Sequence, residues 1–180
     1  VATDYFAGNN TQGTLSVAVG NSAGQTTQGT SAVAVGGNAG QTTQGDSSVA
    51  VGRQAGNNTQ GTNAVAVGIS AGQTSQGIYS TAIGDRAGAT NQGAESVAVG
   101  LLAGQTNQGA NGILINSTGN SLNDTSTGHI RLKSSTGELS FTTAAGWNMS
   151  DDLAVAGSIT GSIAASNIDS GTISDARLPA

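Results

Sequence analysis

A glycan-cleaving site needs two carboxylates held roughly 5–10 Å apart. The acids of the first 116 residues are Asp4, Asp46, Asp85 and Glu95, and they do not supply such a pair. They stand at four different places in a sixteen-residue period, so no two fall together when the period is stacked. Asp151 and Asp152 are neighbours, and neighbours in a strand face opposite ways. His129 is the one histidine; with no cysteine, second histidine or serine–aspartate pattern beside it, it reads as an exposed strand residue. A calcium-binding β-roll would need a carboxylate at every turn, which these acids do not provide. No enzyme, cofactor or metal site is expected.

The polar residues that do recur are amides and hydroxyls. A glutamine precedes the leading glycine of every period, at Gln12, Gln28, Gln44, Gln60, Gln76, Gln92 and Gln108. Stacked in register about 4.8 Å apart, such amides can hydrogen-bond along an axis as a structural ladder. Identical side chains at every level suit self-stacking better than a grip on one sugar. The threonine pairs Thr26-Thr27 and Thr42-Thr43 invite comparison with ice-binding arrays, but the pairs degrade to Asn58-Thr59, Thr74-Ser75, Thr90-Asn91 and Thr106-Asn107. Adjacent strand residues are also expected to point to opposite faces.

These residues are positioned by the period itself. Glycines recur at 13, 29, 45, 61, 77, 93 and 109, at 20, 36, 52, 68, 84 and 100, and at 8, 24, 40, 56, 72, 88 and 104. Three glycines per sixteen residues leave no room for a helix, since interior glycine costs about 1 kcal/mol against alanine. They suit tight turns, where positive φ is cheap for glycine. Between them lie "SVAV" and "QTTQ", short and β-branched, which read as strands. Each period is therefore one rung of a parallel β-solenoid, an all-β fold, with about seven rungs over residues 1–116.

Alternation divides the first strand into two faces. Val17 and Val19 share one, as do Val33/Val35, Val49/Val51, Val65/Val67, Thr81/Ile83, Val97/Val99 and Ile113/Ile115. The residue between them is Ala18, Ala34, Ala50, Ala66, Ala82 and Ala98, with Leu114 ending the run. Valine is the better core residue, so the valines are expected inside the rung. The alanines are then expected to form a small-residue face where sister chains pack, giving a parallel homo-oligomer with closed symmetry.

Composition agrees with a structural role. The chain has 180 residues, 29 glycines, one proline, 8% charged residues and a net charge of −5. No basic stripe suggests nucleic acid, and no apolar run approaches the length of a membrane span. The chain begins in mid-phase, as a piece of something longer would.

The "SVAVG" and "AVAVG" cores followed by "AG" resemble the head repeats of trimeric autotransporter adhesins, which also occur in fibre-like proteins of bacteriophages and large algal viruses. The resemblance covers residues 1–116 and implies a left-handed parallel β-roll with three chains about one axis. The strict sixteen-residue spacing, with its "QTTQG"-like insert, is longer than the commonest adhesin repeat. Residues 150–180, with "SGTISDARLP", resemble segments of phage tail-fibre proteins. Together these imply a virion location, or otherwise an extracellular or cell-surface one. The expected function is a structural segment of a viral fibre, above all a bacteriophage tail fibre, involved in host attachment. The alternatives are a bacterial adhesin head and, from another class, a tailspike glycan depolymerase. The expected partners are the chain itself as a homotrimer, other virion proteins, and a host receptor or glycan.

After Ile115 the register fails. Residues 117–149 read as a cap followed by a hairpin, with Ile130, Leu132, Leu139 and Phe141 alternating about an "SSTG" turn. Trp147, Met149 and Phe141 are expected to form the local core of this junction, and residues 150–180 an extended, short-stranded segment. Outside contact is left to positions where the repeat tolerates anything: Tyr5, Phe6, Arg53, Ile69, Ile78, Tyr79, Arg86, Leu101 and Leu102.

Overall fold

The computed structural model describes residues 1–141, with side chains described as far as Glu138. Trp147, Met149, Asp151, Asp152 and the segment 150–180 lie outside the described residues. Among the described residues the protein is all-β, with no helix. Two short strands recur in every rung. They run β1 (Ala2–Thr3), β2 (Thr11–Gln12), β3 (Val17–Val19), β4 (Thr27–Gln28), β5 (Val33–Val35), β6 (Thr43–Gln44), β7 (Val49–Val51) and β8 (Thr59–Gln60). They continue as β9 (Val65–Val67), β10 (Thr74–Gln76), β11 (Thr81–Ile83), β12 (Thr90–Gln92), β13 (Val97–Val99), β14 (Ile113–Asn116), β15 (Ile130–Ser134) and β16 (Gly137–Phe141).

The "VAV" strands stack into a ten-stranded sheet in the order β1-β3-β5-β7-β9-β11-β13-β14-β15-β16, and the "TQ" strands into a six-stranded sheet from β12 back to β2. Pairing between rungs is parallel and, from β1 to β14, in strict sixteen-residue register, Ala18 beside Ala34 and Gln28 beside Gln44. The result is a β-solenoid of about eight turns, the eighth being the region read as a cap. The hairpin is present: β15 and β16 pair antiparallel with Ile130 beside Phe141 and Leu132 beside Leu139.

Two tight turns bend each rung, with Ala23 N–H donating to Gly20 O at 3.0 Å and Ser16 N–H to Gly13 O at 3.3 Å. Their third residues carry positive φ although they are not glycine, for example Ser22 at 56° and Leu15 at 61°. Glycines 24 and 20 also have positive φ, 53° and 120°. The third glycine set is there for another reason. A Cβ on Gly29 would sit 2.5 Å from the Gly45 carbonyl carbon and 2.6 Å from Asp46 N, so these glycines allow successive backbones to approach.

The two faces of the "VAV" strand are the reverse of the sequence expectation. Ala18, Ala34, Ala50, Ala66, Ala82 and Ala98 are each 0% exposed within a single chain. They face a second alanine column, Ala23, Ala39, Ala55, Ala71, Ala87 and Ala103, across the rung's own interior. They are therefore not an inter-chain face. The reason is width: the interior takes two alanines, a serine or alanine, and one glutamine amide per rung, and branched side chains at these positions would not fit. The valines stand outside instead, half-buried or exposed. Beyond the last alanines of the two columns, Leu114 and Leu122 take their places, Leu122 bridging to Ala103, and close the core at 1% and 2% exposure.

Candidate functional site

The glutamine column lies inside the tube. Gln28, Gln44, Gln60, Gln76, Gln92 and Gln108 are buried, while Gln12, at the end rung, is half-buried. Their amides bridge the two sheets more than they form a ladder. Gln28 Nε2 donates to the Val17 carbonyl at 2.7 Å, and Gln44 Nε2 to that of Val33 at 2.7 Å. The same contact recurs at Gln60, Gln76, Gln92 and Gln108. An axial amide–amide bond joins Gln60 Nε2 to Gln76 Oε1 at 3.1 Å. The Oε1 atoms of Gln28, Gln44, Gln60, Gln92 and Gln108 have no hydrogen-bond partner; each amide rests where a Cβ on the glycine four residues earlier would collide with it, at 2.8 Å for Gly24 against Gln28. The column is a sealed structural element and offers no grip on an external ligand.

The surface falls into three kinds. The six-stranded sheet presents hydroxyls and amides: Thr26 with Thr27, Thr42 with Thr43 and Asn58 with Thr59 are exposed together. The expectation that such neighbours face apart is corrected here, because this strand is only two residues long and its first threonine still belongs to the bend. Amides on this side pair along the axis, Gln41 Nε2 to Gln25 Oε1 and Asn57 Nδ2 to Gln41 Oε1, both at 3.0 Å.

The corners carry the variable residues. Tyr5, Phe6, Arg53, Ile69, Ile78, Tyr79, Arg86 and Leu101 are exposed, as expected, and Leu102 is half-buried. Tyr5 and Phe6 are in contact, with ring centroids 4.1 Å apart. These residues are spread over several rungs and two separate corners, so the fold does not gather all of them into one site.

The third surface was missed in the sequence. It is the outer face of the ten-stranded sheet, where two apolar columns run the length of the solenoid. One column passes from Val17 through Val33, Val49, Val65, Thr81 and Val97 to Ile113; the other passes from Val19 through Val35, Val51, Val67, Ile83 and Val99 to Ile115. Both columns continue onto β15, where Ile130 pairs with Ile113 and Leu132 with Ile115. The sixteen-residue spacing is already lost at that step, yet the apolar columns persist. Along the seven periodic rungs alone the strip is roughly 34 Å long and about 10 Å wide. Val19, Ile83 and Ile115 are about 40% exposed.

At the far end, β15 turns Arg131 to the side that Leu114 occupies in the preceding strand, and a small polar cluster forms there. His129 Nδ1 lies 3.0 Å from Asp124 Oδ2; this histidine is half-buried and stands just before β15, so it is not the exposed strand residue expected. Arg131 Nη1 lies 3.8 Å from Asp124 Oδ2, and its Nε donates to Glu138 Oε1. Burial pushes the Asp124 carboxyl up, but hydrogen bonds from Ser126 and His129 outweigh this and hold it below its ordinary range. The Arg131 hydrogen bond likewise holds Glu138 low, against burial. An open cleft of about 410 Å³ lies here, lined by Asn123, Asp124, Thr125, Ser126, His129, Arg131 and Glu138. Among the described residues no serine or threonine hydroxyl is hydrogen-bonded to His129, and no group of three or more His, Cys, Asp or Glu could hold a metal ion. The cluster ties the loop after β14 to both hairpin strands.

Comparison with known proteins finds no family model, no curated protein and no solved structure that matches the chain.

Proposed function

We propose that the chain is a structural segment of a viral fibre, that of a bacteriophage tail above all, in which identical chains associate side by side as a homotrimer and hold a host-attachment element away from the particle. The observation that carries this reading is the pair of outward apolar columns. A hydrophobic strip along one side of a rod is unusual on a monomer. Its regular repeat suits a second copy of the same rod, and closed symmetry satisfies every copy's strip at once. The axial hydrogen bonds supply stiffness and the rung count supplies length. The corner residues Tyr5, Phe6, Arg53, Ile69, Tyr79 and Leu101 remain outside the strip, available to other virion proteins or to a receptor.

Sedimentation equilibrium on the whole chain tests the assembly and should report three copies across the micromolar range. A single copy at all concentrations would overturn it. Ownership is tested separately: antibody raised against the solenoid should decorate the fibres of intact virions and slow their adsorption to host cells.

A further inference from the structure

A face that repeats every rung creates a problem for side-by-side association. Sliding one chain along its neighbour by one rung, about 4.8 Å, places valine columns on valine columns again. It forfeits contact only at the ends, so the strip alone specifies register weakly. Something must break its translational symmetry.

From this we infer that Thr81 is the register key of the assembly, an inference that rests on the self-association proposed above. It is the one polar residue in its column, which otherwise reads valine or isoleucine from Val1 to Ile130. The other column carries one hydroxyl, Thr3, on the end strand β1, where a slip already loses contact. Thr81 sits inside the strip, on β11, flanked in register by Val65 and Val97. Its backbone carbonyl accepts from Gln92 Nε2, but among the described hydrogen bonds its hydroxyl has no partner within the chain. It is half-buried in the single chain, so a neighbour would complete its desolvation.

The consequence depends on register. When copies are aligned, every Thr81 lies at the same level, and each hydroxyl can donate to one neighbour and accept from another. A slip of one rung sets each hydroxyl against the methyls of Val65 or Val97, and a buried hydroxyl without a partner disfavours that arrangement by on the order of ten-fold per hydroxyl. Threonine has nearly the shape of valine, so Thr81 leaves the strip's contour intact and acts through its polarity. A lone polar residue in an apolar seam fixes register in coiled coils by the same logic, at some cost in affinity.

The test uses the whole chain and disulfide capture. Copies carrying Val51→Cys are mixed with copies carrying Val67→Cys, reassembled, and oxidised. With Thr81 present, like-with-like products (51–51 and 67–67) should dominate the crossed 51–67 product. With Thr81→Val the crossed product should rise at least several-fold while association stays as tight or tightens, and Thr81→Ser should restore the parent pattern. Crossed product that stays minor in Thr81→Val, or is already abundant in the parent, overturns the register key while leaving the assembly standing. Absence of association in the unoxidised mixture, with far-UV circular dichroism unchanged, overturns the assembly itself and this inference with it.

Discussion

Gly37 and Gly45 lie eight residues apart in one rung of the solenoid and should respond oppositely to the same substitution. A Cβ on Gly37 would meet nothing within 4 Å, and its φ is not positive. Gly37→Ala should therefore raise stability by about 0.4–1 kcal/mol, through the lower entropy of the unfolded chain. A Cβ on Gly45 would lie 2.5 Å from Thr62 N and 2.6 Å from the Gly61 carbonyl carbon. The Gly61–Thr62 backbone cannot step aside without straining the adjacent Gly45 N–H bond to Gln60 O, 2.9 Å long. Gly45→Ala should cost more than about 2 kcal/mol. Urea unfolding of the two variants beside the parent checks both, and equal midpoints would contradict the reading. The two glycines look alike in a sequence. What separates them is the period: Gly45 recurs in every rung, whereas the position of Gly37 is Tyr5, Asn21, Arg53, Ile69, Asp85 or Leu101 elsewhere.

The same internal comparison explains which parts of the fold were readable at the level of the strand. Rung length, both strands and the hairpin register about residues 134–137 follow from spacing and alternation alone. Alternation also separated Val17 and Val19 from Ala18, but could not say which side was inside, because the preference of valine for cores assumes a core wide enough to hold it. The better guide is constancy. Ala18 and Ala23 have alanine counterparts in every rung before Leu114, while the valine columns admit Thr81 and Ile83 within the same rungs. A two-alanine interior tolerates no change, and an outer face does. The Asp124–His129 contact was unreadable because it depends on how the loop after β14 folds back where the period has failed. That cluster gives the cap a pH dependence. Asp124 and Glu138 are both held below their ordinary carboxylate range, so they contribute stability that is fully present above the unfolded values of about 4 and lost as pH falls through the lower folded ones. Hydrogen exchange of the β15 amides should accelerate below about pH 4 relative to that of β7, deep in the solenoid. Exchange that changes equally in both strands would show that the cluster does not hold the cap.

At the scale of the whole solenoid, folding and the proposed assembly would use opposite faces of one sheet, and this makes them separable. The interior that folds the chain is alanine, serine and glutamine; the strip proposed to join chains is valine and isoleucine on the other side of the same strands. A lysine on the strip keeps every backbone bond between rungs and can extend its charge into water in a lone chain. In an assembled one the charge would be buried without a partner. Val35→Lys combined with Val67→Lys should therefore leave the circular dichroism of the solenoid unchanged and abolish association, read as a fall to a single-chain mass in sedimentation. A variant that remains trimeric would remove the strip from the interface. One that loses its β signal would mean that the solenoid cannot stand without its neighbours, so that the strip is part of the folding core of an obligate assembly rather than a contact between finished rods.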